Sequence, residues 1–283
     1  MIKCIAIDMD GTLLNKDHQI SEENISAIKK AQEQGIEVVI ATGRSYPEAI
    51  YILKEAGIIC PVICTNGAEV RSVDGEIIEF RPLKKEVGRQ IVKILDKHDV
   101  YVEFFTSKGI YSANMDKGIS IFKDYAAKAH GDELEDKLES LLQERTEFIK
   151  EVDSFDFIFE DPNHHIYKLL AFSIEGQQLE KTQQDLEMIE GIAVSSSGFN
   201  NLEINSVEAQ KGLALETYTK QRDISLMDTM AIGDNYNDVS MFQRVGRAVA
   251  MGNADEVVKS KCHFVTATNE ESGVGKAILE AIE

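Results

Sequence analysis

Near the amino terminus two aspartates stand two residues apart, in Asp8-Met9-Asp10-Gly11-Thr12, directly after the apolar run Ile5–Ile7. Carboxylates so placed repel, by roughly 4 kcal/mol at about 4 Å and an effective dielectric near 20. A divalent cation would relieve that cost and keep Asp8 ionised, as a nucleophile must be. Asp10, aimed at a leaving oxygen, would then serve as acid and afterwards as base. Alone, such a pair also fits a strand end with solvated aspartates. An EF-hand fits poorly, because Gly11 comes too early and the loop follows a strand. In Ala41-Thr42-Gly43-Arg44, the Thr42 hydroxyl and the Gly43 N–H can donate to phosphoryl oxygens. Arg44 either pairs with an acidic residue or faces substrate. Lys211, at the start of a helix, could screen Asp8 and hold a phosphoryl group, although most helix-start lysines are solvent-exposed. Gly233-Asp234-Asn235-Tyr236-Asn237-Asp238 supplies hard oxygen ligands suited to Mg²⁺, or else caps a helix. Asp234 is its natural direct ligand, and Asp238, one turn on, is placed to orient waters or Lys211.

These segments lie just past predicted parallel strands, where an open α/β sheet forms its ligand crevice. Apolar runs at 3–7, 36–41 and 61–64 alternate with helices at 22–34 and from Pro47 to Gly57. Ser21 is a candidate N-cap, and Gly35 a candidate stop. Such alternation predicts a parallel sheet covered on both faces. Asp74-Gly75 between 69–73 and 76–80 predicts a hairpin. From Pro82 the rhythm changes. A helix at 84–97, extended stretches at 100–105 and 109–113, a polar helix at 132–143, a strand at 165–174 and a helix near 177–189 suggest an inserted α+β domain. Doubly wound rhythm returns with helix 210–220, strand 228–232, helix 238–244, strand 248–251 and a last helix near 274–282.

Strand–DxDGT, strand–TGR, a helix-opening lysine and strand–GDNxND, in this order, resemble the haloacid dehalogenase superfamily. The large insertion between the second and third segments is similar to the Cof-type phosphatases within it. The resemblance implies an α/β fold, a doubly wound, Rossmann-like parallel-sheet core (1–81 and 190–283) with an inserted α+β cap (82–189). It implies a Mg²⁺-dependent phosphatase acting on small phosphorylated metabolites through an aspartyl-phosphate. Asp8 would be nucleophile and metal ligand, and Asp10 acid/base with its backbone carbonyl on the metal. Met9, through its N–H, and Thr42, Gly43, Lys211 and Asn237 would hold phosphate. Asp234 would complete the metal site with Asn235 beside it, and Asp238 would stand behind them. The segment Asn205–Gln210 departs from the commoner Gly-Val-Ser before the lysine. A phosphomutase on the same scaffold, a phospho-aspartate signalling module and a silent binding protein are the rivals. Asp10 speaks against the signalling module, because it promotes hydrolysis of the intermediate.

Composition narrows the partners. The 283 residues carry 49 acidic against 30 basic side chains, a net charge of −19, which repels nucleic-acid backbones and anionic membranes. Hydrophobic residues, at 43%, suffice for a sizeable core. No apolar run approaches the roughly 20 residues of a membrane span. Cys4, Cys60, Cys64 and Cys262 lack CxxC spacing and read as reduced thiols, and a cytoplasmic location is expected. Adjacent His164 and His165 on an extended segment point to opposite faces, which disfavours a shared metal. Phe104, Phe105, Phe155, Phe157 and Phe159 read as cap core. The oligomeric state stays open.

Overall fold

The computed structural model describes residues 1–130, 142, 146–196 and 200–282. The chain divides into two compact units, Met1–Arg81 with Ala209–Glu283, and Pro82–Glu208.

In the first unit an eight-stranded sheet runs in the order β14-β13-β12-β1-β2-β3-β4-β5. Its strands are β1 (Cys4–Ile7), β2 (Glu37–Ala41), β3 (Val62–Cys64), β4 (Glu69–Arg71), β5 (Ile77–Phe80), β12 (Thr229–Gly233), β13 (Arg247–Ala250) and β14 (Phe264–Val265). Neighbours from β14 through β3 pair in parallel, and β4 and β5 add an antiparallel hairpin at the edge. All four residues of β1 are buried, as a central strand covered on both faces requires. Side chains alternate between the faces. Ile5, Ile7, Val38 and Ile40 pack against Ile28, Leu53 and Ile278, from helices Glu22–Glu33, Tyr46–Glu55 and Gly273–Ile282. Cys4, Ala6, Val39 and Ala41 meet Leu215 and Tyr218 of helix Lys211–Lys220, and Phe242 of Val239–Phe242. Local signals act where the sequence places them. Ser21 accepts the Asn24 N–H at 3.3 Å, Ser45 and Glu48 cap each other's turn, and Gly75 closes the hairpin at φ +82°.

The second unit holds a six-stranded sheet in the order β10-β11-β9-β6-β7-β8. These are β6 (Tyr101–Thr106), β7 (Gly109–Ser112), β8 (Ile149–Glu151), β9 (Ile166–Phe172), β10 (Ile192–Ser195) and β11 (Asn201–Ser206). All pairs are antiparallel except β7–β8. Strands β10 and β11, which the sequence reading gives to the returning core by starting it at residue 190, belong to this sheet instead. Leu202 and Ile204 of β11 enter the same apolar cluster as Phe104, Leu169, Ile91 and Leu179, and β10 pairs with β11. That burial, and not a motif, decides their membership. The sequence reading also passes over the helix Met115–His130, where aromatic and β-branched residues obscure the helical period. The helix expected at 132–143 lies outside the described residues, Leu142 excepted. Phe104, Phe155 and Phe159 join the core cluster and Phe105 lies in a smaller cluster on the other face, but Phe157 is 38% exposed. Among the described residues no helix is long and apolar enough to cross a membrane.

Candidate active site

Six parallel strands end on the same side of the first unit's sheet, and polar residues following β1, β2, β3, β12 and β13 gather there. β1 lies between β12 and β2, in register Ile7↔Ile232 and Ile7↔Ile40. The Asp8 N–H still follows the ladder, donating to the Ile232 carbonyl at 3.0 Å. Asp8 and Asp234 are thereby launched from adjacent strands. The chain then turns back sharply through Gly11, at φ +78°. A Cβ on Gly11 would lie 2.4 Å from Asp234 Oδ2, so both conformation and space require glycine. Thr12, next in line, donates its hydroxyl to Asp234 Oδ1 at 2.7 Å.

Lys211 is the centre of this arrangement. It opens its helix with no solvent exposure, donating to Asp8 Oδ1 at 2.5 Å and to Asp238 Oδ1 at 2.7 Å. The unusual segment ahead of it thus leaves the lysine in place. A cation in the first turn has the wrong sign for the helix dipole. Burial opposes the charge as well, but Asp238 and Asp8 reverse that and raise the ammonium's pKa. Asp238, itself fully buried, also accepts the N–H groups of Asp234 and Asn235, each at 3.0 Å. It therefore fixes the lysine and the Asp234 loop together.

Asp8, Asp234 and Asp238 each offer an oxygen within 4.8 Å of the others. Three carboxylates face one ammonium, so ionised groups leave a net charge of −2. Burial, then Asp238 and Asp234, push the Asp8 pKa well up, against the pull of Lys211. Burial and Asp238 bring Asp234 to about 6. Oxygen-only donors, crowded and short of positive charge, fit a hard divalent cation.

Removing Lys211 should expose that imbalance. We expect Lys211→Ala, free of metal at neutral pH, to lose about 3–5 kcal/mol in urea unfolding, the usual cost of stranding a buried charge. The loss should shrink toward acid as the carboxylates protonate. A midpoint matching the parent protein at neutral pH would refute this electrostatic account.

The remaining expected residues take varied places. Asp10 turns away from the carboxylate cluster. Its side chain is 48% exposed and is gripped by Arg44, Nε donating at 2.9 Å to Oδ2 and Nη2 at 2.6 Å to Oδ1. Partial desolvation raises its pKa, but the guanidinium more than offsets this and holds the carboxyl below its usual range. Arg44 thus pairs with an acidic residue, one of the two aspartates singled out above. The Met9 side chain is buried in the core. Thr42 is buried, and its hydroxyl accepts the Arg44 N–H at 3.1 Å, which leaves its own hydrogen to donate. Gly43 follows it in the same loop. Asn235 caps the next turn through the Tyr236 N–H at 2.8 Å, and Asn237 donates from Nδ2 to Asn66 Oδ1 at 3.1 Å. His164 lies in the other unit, 2.8 Å from the Thr106 hydroxyl, and among the described residues the three aspartates are the one candidate metal group.

Three residues escape the sequence reading. Thr12 holds Asp234, Asn253 donates to the Gly11 carbonyl at 2.8 Å, and Asn66 meets Asn237. Asn66 and Asn253 follow β3 and β13 closely, so the strand-end rule, applied to every parallel strand, would have found them.

An open, mainly parallel sheet carrying such a carboxylate–lysine centre at its strand ends defines a class, the doubly wound α/β proteins with an acidic centre suited to a cation. Residues 5–278 match the haloacid dehalogenase-like hydrolases, and the chain belongs to that family, an enzyme of the phosphatase kind. Such hydrolases generally use a divalent metal. A Bacillus subtilis protein named Phosphatase YwpJ is 37% identical over 279 residues, covering 96% of this chain and 97% of its own. Another from Bacillus subtilis, named 5-amino-6-(5-phospho-D-ribitylamino)uracil phosphatase YwtE, is 35% identical over 96% of each chain. A solved haloacid dehalogenase-like hydrolase from B. subtilis superposes with a TM-score of 0.88 at 35% identity, over 98% of this chain and 99% of that one.

Proposed function

We propose that the chain is a magnesium-dependent, cytoplasmic phosphatase that hydrolyses phosphate monoesters of small metabolites through an aspartyl-phosphate on Asp8. The observation that carries this reading is Lys211 Nζ, at the start of its helix, bridging Asp8 and Asp238 beside Asp234, the three aspartates following β1 and β12. An Asp8 oxygen attacks phosphorus as the bond to the leaving oxygen breaks, and Asp10, which must first leave Arg44 and take up a proton, gives that proton to the leaving oxygen. Water then attacks the phosphoryl group. Asp10 takes back a proton, and inorganic phosphate leaves a regenerated Asp8 carboxylate. Lys211, the Thr42 hydroxyl, the Met9 and Gly43 N–H groups and the Asn237 amide hold the phosphoryl oxygens. Asp8, the Asp10 carbonyl, Asp234 and Asn235 would hold magnesium, while Asp238 keeps Lys211 and the Asp234 loop in place. Bound magnesium supplies the positive charge that lets anionic substrate and ionised Asp8 approach one another.

Sugar phosphates, pyridoxal phosphate and nucleotide-derived monophosphates are the substrate classes proposed. The relative named for 5-amino-6-(5-phospho-D-ribitylamino)uracil supports a phosphate on a sugar-alcohol chain. Purified protein should release inorganic phosphate from members of such a panel with Mg²⁺, and lose that activity in EDTA. Phosphate release indifferent to chelation would remove the metal. Conversion to an isomer without free phosphate would replace the reading with a phosphomutase.

The metal has a signature in stability as well. Asp234 titrates near 6 in the folded chain against 3.8 ordinarily, and Asp8 is displaced in the same direction. A raised carboxylate pKa contributes stability below its unfolded value, and that contribution disappears as pH climbs through the folded value. Metal-free protein should therefore melt lower at about pH 8 than at about pH 5 as far as these groups decide it. Saturating Mg²⁺ should raise Tm more at the higher pH, with about 2.7 kcal/mol available at a hundredfold excess over Kd. Equal Mg²⁺ shifts at both pH values would contradict this.

A further inference from the structure

Between β3 and β4 the backbone of Thr65, Asn66 and Gly67 takes three consecutive positive φ values, +47°, +60° and +96°. Threonine in this region is an outlier, because its branched Cβ crowds the backbone. Such strain persists where surroundings over-determine it, and it concentrates at functional sites. Thr65 and Asn66 are only 1% and 5% exposed. The tripeptide touches three of the loops that bear the site. The Thr65 N–H donates to the Arg44 carbonyl at 2.8 Å, and the Asn66 N–H to the Thr42 carbonyl at 3.0 Å. A Cβ on Gly67 would stand 2.5 Å from the Gln210 carbonyl oxygen, a backbone atom that cannot rotate aside, so Gly67 lies flat against the start of the Lys211 helix. Asn66 Oδ1 accepts from Asn237 Nδ2 at 3.1 Å, while the buried Asn237 Oδ1 has no partner among the described residues.

We infer that Asn66 is a positioning residue of the phosphoryl site, acting through the amide of Asn237. The inference rests on the proposed phosphate-holding role of Asn237. An amide held at one end has its other end aimed. The two side chains can also turn over together and keep their bond, which swaps the Asn237 end that faces away from Asn66. The left-handed backbone selects asparagine, the residue apart from glycine that most readily accepts it. The main chain of the tripeptide meanwhile clamps the Thr42 loop to the Lys211 helix.

Asn66→Gly keeps the backbone conformation and removes the amide, so it tests the side chain alone. Binding of inorganic phosphate to the Mg²⁺-loaded protein should be measured by calorimetry, and kcat and KM with a phosphate monoester, for the parent, Asn66→Gly, Asn237→Ala and the double variant. We expect each single variant to weaken phosphate about tenfold, on the scale of a hydrogen bond to a charged group. The double variant should be no weaker than Asn237→Ala. Independent, multiplying losses would overturn the inference, as would parent-like phosphate affinity in Asn66→Gly, even with a lowered Tm. A parent protein that neither binds phosphate nor releases it from esters would instead sink the phosphatase reading itself.

Discussion

Asp8→Asn should cut phosphate release by at least about 10⁴-fold, the scale on which removing a nucleophile acts, and should leave the fold intact. An amide of the same shape cannot become an acyl phosphate under these conditions. Lys211 keeps its bond to Asp238, at 2.7 Å, so the ammonium is not stranded. What is lost is a carboxylate whose ionisation the folded chain resists, through burial and the neighbouring Asp238 and Asp234. Removing it takes away a penalty present at neutral pH and absent in acid, so the metal-free variant should melt at or above the parent at neutral pH. Lys211→Ala is expected to move stability the other way. The two variants thus share a loss of activity and differ in the sign of their stability change, which general damage to the site would not produce. Mass spectrometry must exclude deamidation back to aspartate. Near-normal turnover by Asp8→Asn protein that has kept its amide would end the assignment of the nucleophile.

The legible parts of this molecule are those where one short stretch carries the whole signal. β1, β2 and β12 read as apolar runs because both faces of the sheet are covered, and each is followed directly by the polar residues that a strand-end crevice needs. Ser21 ahead of its helix, or Asp74 and Gly75, specify their turns within four residues. The illegible parts depend on strand order, which no local window contains. Thr12 reaches Asp234 because β1 lies beside β12, and Asn253 reaches Gly11 because β13 follows on the far side of β12. Asp10 shows the same limit from another direction. Its spacing from Asp8 announces chemistry, but nothing in DxDGT says that Arg44, from the loop after β2, will hold its carboxylate outside the cluster. Strand β11 lacks a site motif altogether, and its place in the second sheet goes with the burial of Leu202 and Ile204.

That hold on Asp10 shapes the last expectation, for Asp10→Asn. The Asp10 carboxylate is paired with a guanidinium and kept acidic, so in this arrangement it is ionised and competent to accept a proton. Attack by water on an aspartyl-phosphate requires such a base, whereas attack by Asp8 on an ester with a good leaving group needs no acid. With an aryl phosphate, whose phenolate departs without help, Asp10→Asn should impair the second step far more than the first. Turnover should fall by about 10²–10⁴-fold, the usual contribution of a positioned acid or base. The first turnover should still release phenolate in a burst approaching one equivalent per site, leaving phosphate on the protein. With an alkyl phosphate both steps need Asp10, and the burst should vanish. Arg44 would then face an amide in place of its carboxylate, a change on a half-exposed side chain that costs little stability. Quenched-flow measurement of phenolate and of acid-stable protein-bound phosphate separates these outcomes. Steady turnover without a burst and with full activity would show that some other group activates water, and Asp10 would lose its proposed role.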